Sequence, residues 1–283
     1  MATLMSASLA PGLYIVAGPI GNLSDLSPHG AQILREADVV AVEDTRVSAK
    51  LLRHAGSDRP MVPYHDHSDE RMRARLVDRM AGEAVALLSD AGTPLISDPG
   101  YKLVRDARAA GRHVTTIPGP CAAIAAITLS GLPSDRFLFM GFLPSKTKAR
   151  RDALAEVASL RASLVFYESG PRSAAALADM AAALGDRPAA LCREISKAYE
   201  ETLTDSLGAL AAACAQKAPR GEVVIVVGPP GERAPAGEEE IDAALAEALA
   251  RLPVSQAAGE VARALGADRK ALYARAMALK GKA

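Results

Sequence analysis

The sequence predicts an α/β fold: two successive α/β series followed by a short helical unit. Three observations carry that expectation. Short apolar runs alternate with helical patterns from Leu13 onward, the rhythm of a largely parallel sheet covered on both faces. Turn residues gather in Gly131–Arg136, which reads as a hinge, and in Gly228–Gly237, which reads as a linker. With 283 residues and 49% hydrophobic content, the chain is long for one domain and comfortable for two with a small appendage.

In chain order, Leu13–Ala17 reads as a strand, and Ser27-Pro28 supplies an N-cap followed by proline at the first helical position. That helix ends near Asp38, and Val39–Val42 is the next strand. Thr45–His54 is helical and Gly56 stops it. A charged amphipathic helix over 69–81, a strand over Glu83–Leu88 and a helix over 99–110 stopped by Gly111 follow. Val114–Ile117 is a strand closed by Pro118-Gly119-Pro120, and Ala122–Leu129 is an Ala-rich helix.

The second series has strands over 137–141, 163–167, 189–193, 199–204 and 222–227, with helices over 146–159, 173–184 and 206–216. Beyond the linker, residues 238–283 are helical. There Ser255 and Asp268 are placed to cap two helices joined at Gly266, read equally as a helix-turn-helix unit or a packing hairpin. Six basic residues, Arg263, Arg269, Lys270, Arg275, Lys280 and Lys282, mark that end.

Composition narrows the function classes. Lys plus Arg equals Asp plus Glu, 33 each, so any nucleic-acid site must be a local patch. Three cysteines without metal spacing or an even framework read as buried thiols in a reducing compartment. No apolar run reaches the roughly 18 residues of a membrane span, and the first ten residues lack the charged n-region of a signal peptide. A soluble cytoplasmic protein is expected.

The stretch LLSDAGTPLISDPG, residues 87–100, is the leading candidate ligand site. A buried-strand run empties there into two acidic, proline-stiffened bends, and ligands of open α/β sheets bind beyond strand carboxyl ends. Without a phosphate-binding pattern and with carboxylates on offer, it suits a neutral or cationic ligand. Asp90 directly follows the strand, whereas Asp98 precedes Pro-Gly and a helix and is expected to cap it. Gly18-Pro19-Ile20-Gly21-Asn22 ends the first strand but is no GxGxxG motif.

Glu43-Asp44-Thr45-Arg46 ends the second strand. Asp44 reads equally as a helix cap and as a site residue; Glu43 and Arg46 read as site residues. His65 and His67 lack a third partner and read as a turn, not a metal site. Lys146, Lys148, Arg150 and Arg151 oppose the dipole of the helix they open, so phosphate contact competes with a solvated face. Tyr167-Glu168-Ser169-Gly170-Pro171-Arg172, and Arg193-Glu194 with Lys197, repeat charges at strand ends, pointing to one shared cleft.

Together these residues resemble the 16S ribosomal RNA cytidine 2′-O-methyltransferases, within the tetrapyrrole-methylase (class III) methyltransferases. The resemblance runs nearly end to end, through LYIVAGPIGNLSDLSPHGAQIL, VVAVEDTRVSAKLL, LLSDAGTPLISDPGYKLV, TIPGPCAAIAAITLSGLP, FLFMGFLPSK, VFYESGPR, REISKAYEE and GEVVIVVGP. EDTR together with SDAGTPLISDPG is its most specific part. It implies an N-terminal α/β domain over 1–120, a C-terminal one over 121–232, a cleft between them and the helical tail over 238–283.

The resemblance also implies S-adenosylmethionine in that cleft, a homodimer, and 16S ribosomal RNA of the small subunit as substrate. Residues expected at the cofactor are Asp90, Gly92, Thr93, Ile96, Ser97, Cys121, Ala122, Phe142, Leu143, Tyr167, Arg193 and Ile225. Glu43 is the expected base for a ribose 2′-hydroxyl, with Asp44 second and Arg46 beside them. Lys50, Arg172 and the basic helix at Lys146, Lys148, Arg150 and Arg151 are the expected RNA contacts; no metal is required. Two departures stand out: relatives read ESPHR where this chain has ESGPR, and Cys121 replaces a common Ser. A precorrin or diphthamide methylase, or a ligand-sensing DNA regulator, is the competing reading.

Overall fold

The computed structural model describes residues 9–65, 70–231 and 237–280. Residues through Pro229 form one compact unit and those from Pro230 a second. His67, Lys282, the first eight residues and positions 232–236 of the expected linker lie outside the described residues.

The first sheet has the order β3-β2-β4-β1-β5 and is parallel throughout. Its strands are β1 (Gly12–Val16), β2 (Val39–Val42), β3 (Met61–Pro63), β4 (Ala84–Leu88) and β5 (Val114–Ile117). Helices α1 (Pro28–Glu36) and α2 (Thr45–Ala55) bury Ile33, Leu34, Leu51 and Leu52 on one face. Helices α3 (Glu70–Arg79) and α4 (Tyr101–Ala109) bury Leu76, Val77 and Leu103 on the other. β2 and β4 are wholly buried, which is why they read as unbroken apolar runs.

Capping residues set the helix limits. Ser27 Oγ accepts the Gly30 N–H at 2.9 Å, and Gly56 ends α2 in the left-handed region at φ 71°. α4 begins two residues later than expected, because Gly100 at φ 136° is outside the helix.

In the second sheet the order is β6-β7-β10-β8-β9, from β6 (Phe137–Phe142), β7 (Ser163–Ser169), β8 (Pro188–Arg193), β9 (Glu201–Ser206) and β10 (Glu222–Val227). Only β6 and β7 run parallel; the other pairs are antiparallel. The connection from β8 to β9 is too short for a parallel crossover, which needs a dozen or more residues. Helices α6 (Thr147–Val157), α7 (Ser173–Leu184) and α8 (Leu207–Gln216) cover one face with Leu154, Leu177, Met180 and Leu210. Helix α5 (Ala122–Leu129) lays Ala123, Ala126 and Ile127 on the other face.

The second unit holds three helices, α9 (Glu238–Leu249), α10 (Val254–Leu265) and α11 (Arg269–Lys280), around Leu245, Ala258, Val261, Leu272 and Ala276. Gly266 at φ 64° ends α10, and Asp268 Oδ1 accepts the Ala271 N–H at 2.8 Å. Pro253, not Ser255, occupies the N-cap of α10. Arg275 pairs with Glu238 and Asp242, fastening α11 to α9. Among the described residues no helix is long and apolar enough to cross a membrane.

Candidate active site

β1 and β4 are neighbours whose following helices, α1 and α4, leave to opposite faces of the sheet. This is a topological switch point, and the crevice beyond the strand ends is where such sheets bind ligands. Three bends meet there. Gly18 N–H donates to Gly92 O at 2.8 Å and Gly92 N–H to Pro19 O at 3.0 Å, lacing the β1 bend to the β4 bend. Thr93 Oγ1 donates to Pro120 O at 2.9 Å, adding the bend after β5.

Backbone geometry in the β4 bend is unusual. Gly92 has φ 69°, and a Cβ there would stand 3.2 Å from Ile20 Cγ2. Leu95 and Ser97, with φ 74° and 64°, occupy the left-handed region that side-chain-bearing residues rarely adopt. Ser97 Oγ would lie 3.1 Å from a Cβ at Gly141, so the bend closes on β6 where its register shifts between Phe139 and Gly141.

A cavity of about 310 Å³ opens between these bends and the second sheet, at the small end of pockets for small molecules. Gly92, Thr93, Ile96, Ser97, Cys121, Ala122, Phe142, Tyr167 and Arg193 line it. Tyr167 is held edge-on by Phe139 and Phe142, with ring centroids 4.9 and 5.6 Å away. Its hydroxyl accepts the Ala123 N–H at 3.1 Å, and burial pushes its pKa well above the ordinary value. Ile20, Asp98, Glu194, Lys197 and Glu222 also line the cavity and were absent from the expected cofactor set.

Asp98 departs from its expected capping role. Gly100 is the N-cap of α4 and no side chain caps it. Burial pushes the Asp98 carboxyl up to about 6; a hydrogen bond with Ser89 opposes this, and the charges of Glu43, Asp90 and Glu222 add to it. Glu43 is half-buried beside this acidic group. Asp44 is the N-cap of α2, accepting the Arg46 N–H at 2.8 Å and pairing with the Arg46 guanidinium at 2.7 Å. The Arg46 side-chain and backbone hydrogen bonds hold the Asp44 carboxyl down to about 2.

Several expected contacts fall elsewhere. Asp90 does not line the cavity; its Oδ1 accepts the Asp44 N–H. Ile225 is fully buried among the α6–α8 side chains, and the part of β10 that lines the cavity is its start, Glu222, Val223 and Val224. Leu143 is buried on that same face, and its carbonyl accepts from Arg172 at 2.8 Å.

The expected RNA contacts also divide. Arg172 is committed to Leu143 O and to buried Glu168, 3.1 Å away. Arg150 is buried against Asp179, with side chains 6% and 5% exposed, so it cannot meet a phosphate. Arg151 shares Asp179 but stays exposed, and Lys148 pairs with Asp152. Lys50 and Lys146 are exposed. Among the described residues no three His, Cys, Asp or Glu side chains converge as a metal site.

Known proteins share this sequence and fold. Residues 12–211 match the family of tetrapyrrole (corrin/porphyrin) methylases, and residues 235–280 match the RsmI C-terminal helix-turn-helix domain. The chain belongs to the tetrapyrrole methylase family. Within it, the chain is a methyltransferase similar to ribosomal RNA small subunit methyltransferase I of Erythrobacter litoralis, 54% identical and covering 96% of each chain. The Mesorhizobium japonicum protein of that name is 47% identical over 96% of this chain and 93% of its own. Thermus thermophilus uroporphyrin-III C-methyltransferase, solved with S-adenyl homocysteine, matches 76% of this chain and 97% of its own at TM-score 0.53 and 20% identity, a likeness of fold.

Proposed function

We propose that the cavity binds S-adenosylmethionine and that the chain methylates 16S ribosomal RNA, at the ribose 2′-hydroxyl of a decoding-region cytidine. The carrying observation is the cavity at the switch point, walled by Ile20, Ile96 and Phe142 and edged by the carboxylates of Asp98, Glu194 and Glu222. Those residues fit an aromatic nucleoside bearing a positive charge, and the high identity to ribosomal RNA small subunit methyltransferases I supplies the substrate class.

When bound, the donor supplies an electrophilic methyl group on a sulfonium. The protein's work is then mostly positioning. Glu43, beside the cavity's acidic edge, takes the hydroxyl proton; a 2′-hydroxyl is a poor nucleophile at neutral pH, so a base within reach accelerates the step. Asp44 is too weak a base for this, since its lone pairs hold α2 and Arg46. Exposed Arg46 and Lys50 reach RNA phosphates, and the target nucleotide is single-stranded or splayed, because one sugar must be accessible. A cytoplasmic homodimer completes the reading.

The test is transfer of labelled methyl from S-adenosylmethionine to small subunits lacking the modification, followed by nucleoside mapping. Label on a cytidine ribose supports the reading; label on a tetrapyrrole but not on the subunit overturns it. Glu43→Gln should bind donor and RNA normally yet lose about 10²–10⁴ in rate.

A further inference from the structure

A second depression lies on the α8 face of the second sheet and shares Arg193, Glu194 and Gly221 with the first cavity. Its volume is about 780 Å³. Leu191 and Leu203 are cross-strand partners on β8 and β9 and form its apolar floor. Arg193 and Glu201, also opposed across these strands, neutralise each other at 2.6 Å.

Charge at its far wall is not neutralised. Lys217 and Arg220 are exposed, and neither side chain has a hydrogen-bonding or ion-pair partner among the described residues. Lys217 follows the C-terminus of α8, where a cation suits the helix dipole; Arg220 has no such role. Tyr199, from the β8–β9 connection, also lines the depression, with 77% of its surface exposed. An apolar floor, two uncommitted cations and an open aromatic ring form the combination that holds single-stranded nucleic acid, by phosphate contact and base stacking.

We propose that this groove binds the single-stranded RNA flanking the target nucleotide, with Lys217 and Arg220 on phosphates and Tyr199 stacked on a base. The inference rests on the RNA methyltransferase reading and gives it a substrate track. The shared rim at Arg193 and Gly221 lets one strand lie in the groove while its neighbouring sugar reaches the reaction cavity. None of the three proposed contacts lines that cavity, so donor binding should be indifferent to them.

The test compares wild-type protein with Tyr199→Ala and Lys217→Ala/Arg220→Ala. Assays are small-subunit methylation, filter binding of a single-stranded oligonucleotide carrying the target sequence, and calorimetry with S-adenosylmethionine. Tyr199→Ala should raise KM for the subunit roughly five- to hundredfold, the range of one lost stack. The double variant should flatten the slope of log K against log salt by about 1.4, for two single-strand phosphates. Donor affinity should stay at the wild-type value in both.

Wild-type KM, oligonucleotide affinity and salt slope in these variants, alongside active wild-type enzyme, overturn the groove and leave the methyltransferase reading standing. A wild-type protein that neither binds the oligonucleotide nor methylates the subunit overturns both. Conversion of a sedimenting dimer to monomer by the same substitutions also overturns the proposal, because the groove would then be a subunit interface.

Discussion

The backbone N–H of Asp44 donates to Asp90 Oδ1 at 3.1 Å, so the bend ending β2 is fastened to the bend ending β4. One carboxylate thereby sets where α2 begins and where the neighbouring Glu43 sits. Asp90→Ala leaves a part-buried N–H without its acceptor, at the lower end of the about 1–3 kcal/mol such a loss costs. Asp90→Asn keeps an acceptor oxygen. Thermal unfolding should show the Ala variant lower by roughly 2–4 °C per kcal/mol, with kcat reduced about tenfold for each 1.4 kcal/mol of lost positioning. Equal melting and equal kcat for the two variants would show that this bond positions nothing.

Arg150 and Lys148 sit two residues apart on α6 and should behave oppositely. Breaking the buried Arg150–Asp179 pair leaves Asp179 with only the exposed Arg151, and truncating one partner of a buried pair costs about 3–5 kcal/mol. Lys148 lies in an exposed pair with Asp152, worth about 0–1 kcal/mol. Urea titration should therefore shift the midpoint strongly for Arg150→Ala and barely for Lys148→Ala. A mild Arg150→Ala with weakened RNA affinity would return this guanidinium to the substrate surface.

Arg150, Arg151 and Lys148 show where the sequence stops being legible. The strands β1, β2 and β4 announce themselves through apolar runs, β5 through the β-branched run VTTI before Pro118-Gly119-Pro120, and Ser27, Asp44 and Gly56 announce helix limits through capping chemistry. Edge strand β3 does not: three residues ending in Pro63, none fully buried, present no period. Whether a charge is committed inside the protein depends on a distant partner, as Asp179 is to Arg150, and no local pattern reveals it. Leu143, just past the end of β6, and Ile225 lie off the cavity for another reason: apolar side chains cover both faces of the second sheet, so the sequence does not say which face each residue joins. Asp98 resembles a cap because Asp-Pro-Gly before a helix is a capping signal; only the geometry shows Gly100 at the N-cap position and no side chain capping α4.

Gly170 is one of the two positions at which this chain departs from the ESPHR pattern, and the structure gives the reason for the glycine. A Cβ there would stand 1.9 Å from Pro219 O and 2.7 Å from Pro219 C, backbone atoms that no rotamer change can move. Gly170 N–H also donates to Gly221 O at 2.8 Å. Gly170→Ala should cost at least the about 1–3 kcal/mol of overpacking, with an unchanged denaturant m-value. Because Pro219 adjoins Arg220, oligonucleotide affinity should fall with it. Full stability in this variant would mean that the 217–221 segment stands off from β7.

Asp98 makes the donor's charge visible through pH. Its folded-state pKa of about 6 exceeds the ordinary 3.8, so the folded protein holds that proton more tightly than the unfolded chain does. The resulting stability is fully present below about 3.8 and is lost as pH rises through about 6. Asp98→Asn removes this dependence, so wild-type stability relative to the variant should decline across that window. Ligand binding should run the opposite way. The ionised carboxylate lines the cavity and favours a cationic sulfonium over its neutral demethylated product. Calorimetry from about pH 5 to pH 8 should show the donor-to-product affinity ratio rising through about 6 in the wild type and flat in Asp98→Asn. A ratio independent of pH in the wild-type protein would place the sulfonium away from Asp98 and leave Glu194 or Glu222 as the carboxylate facing it.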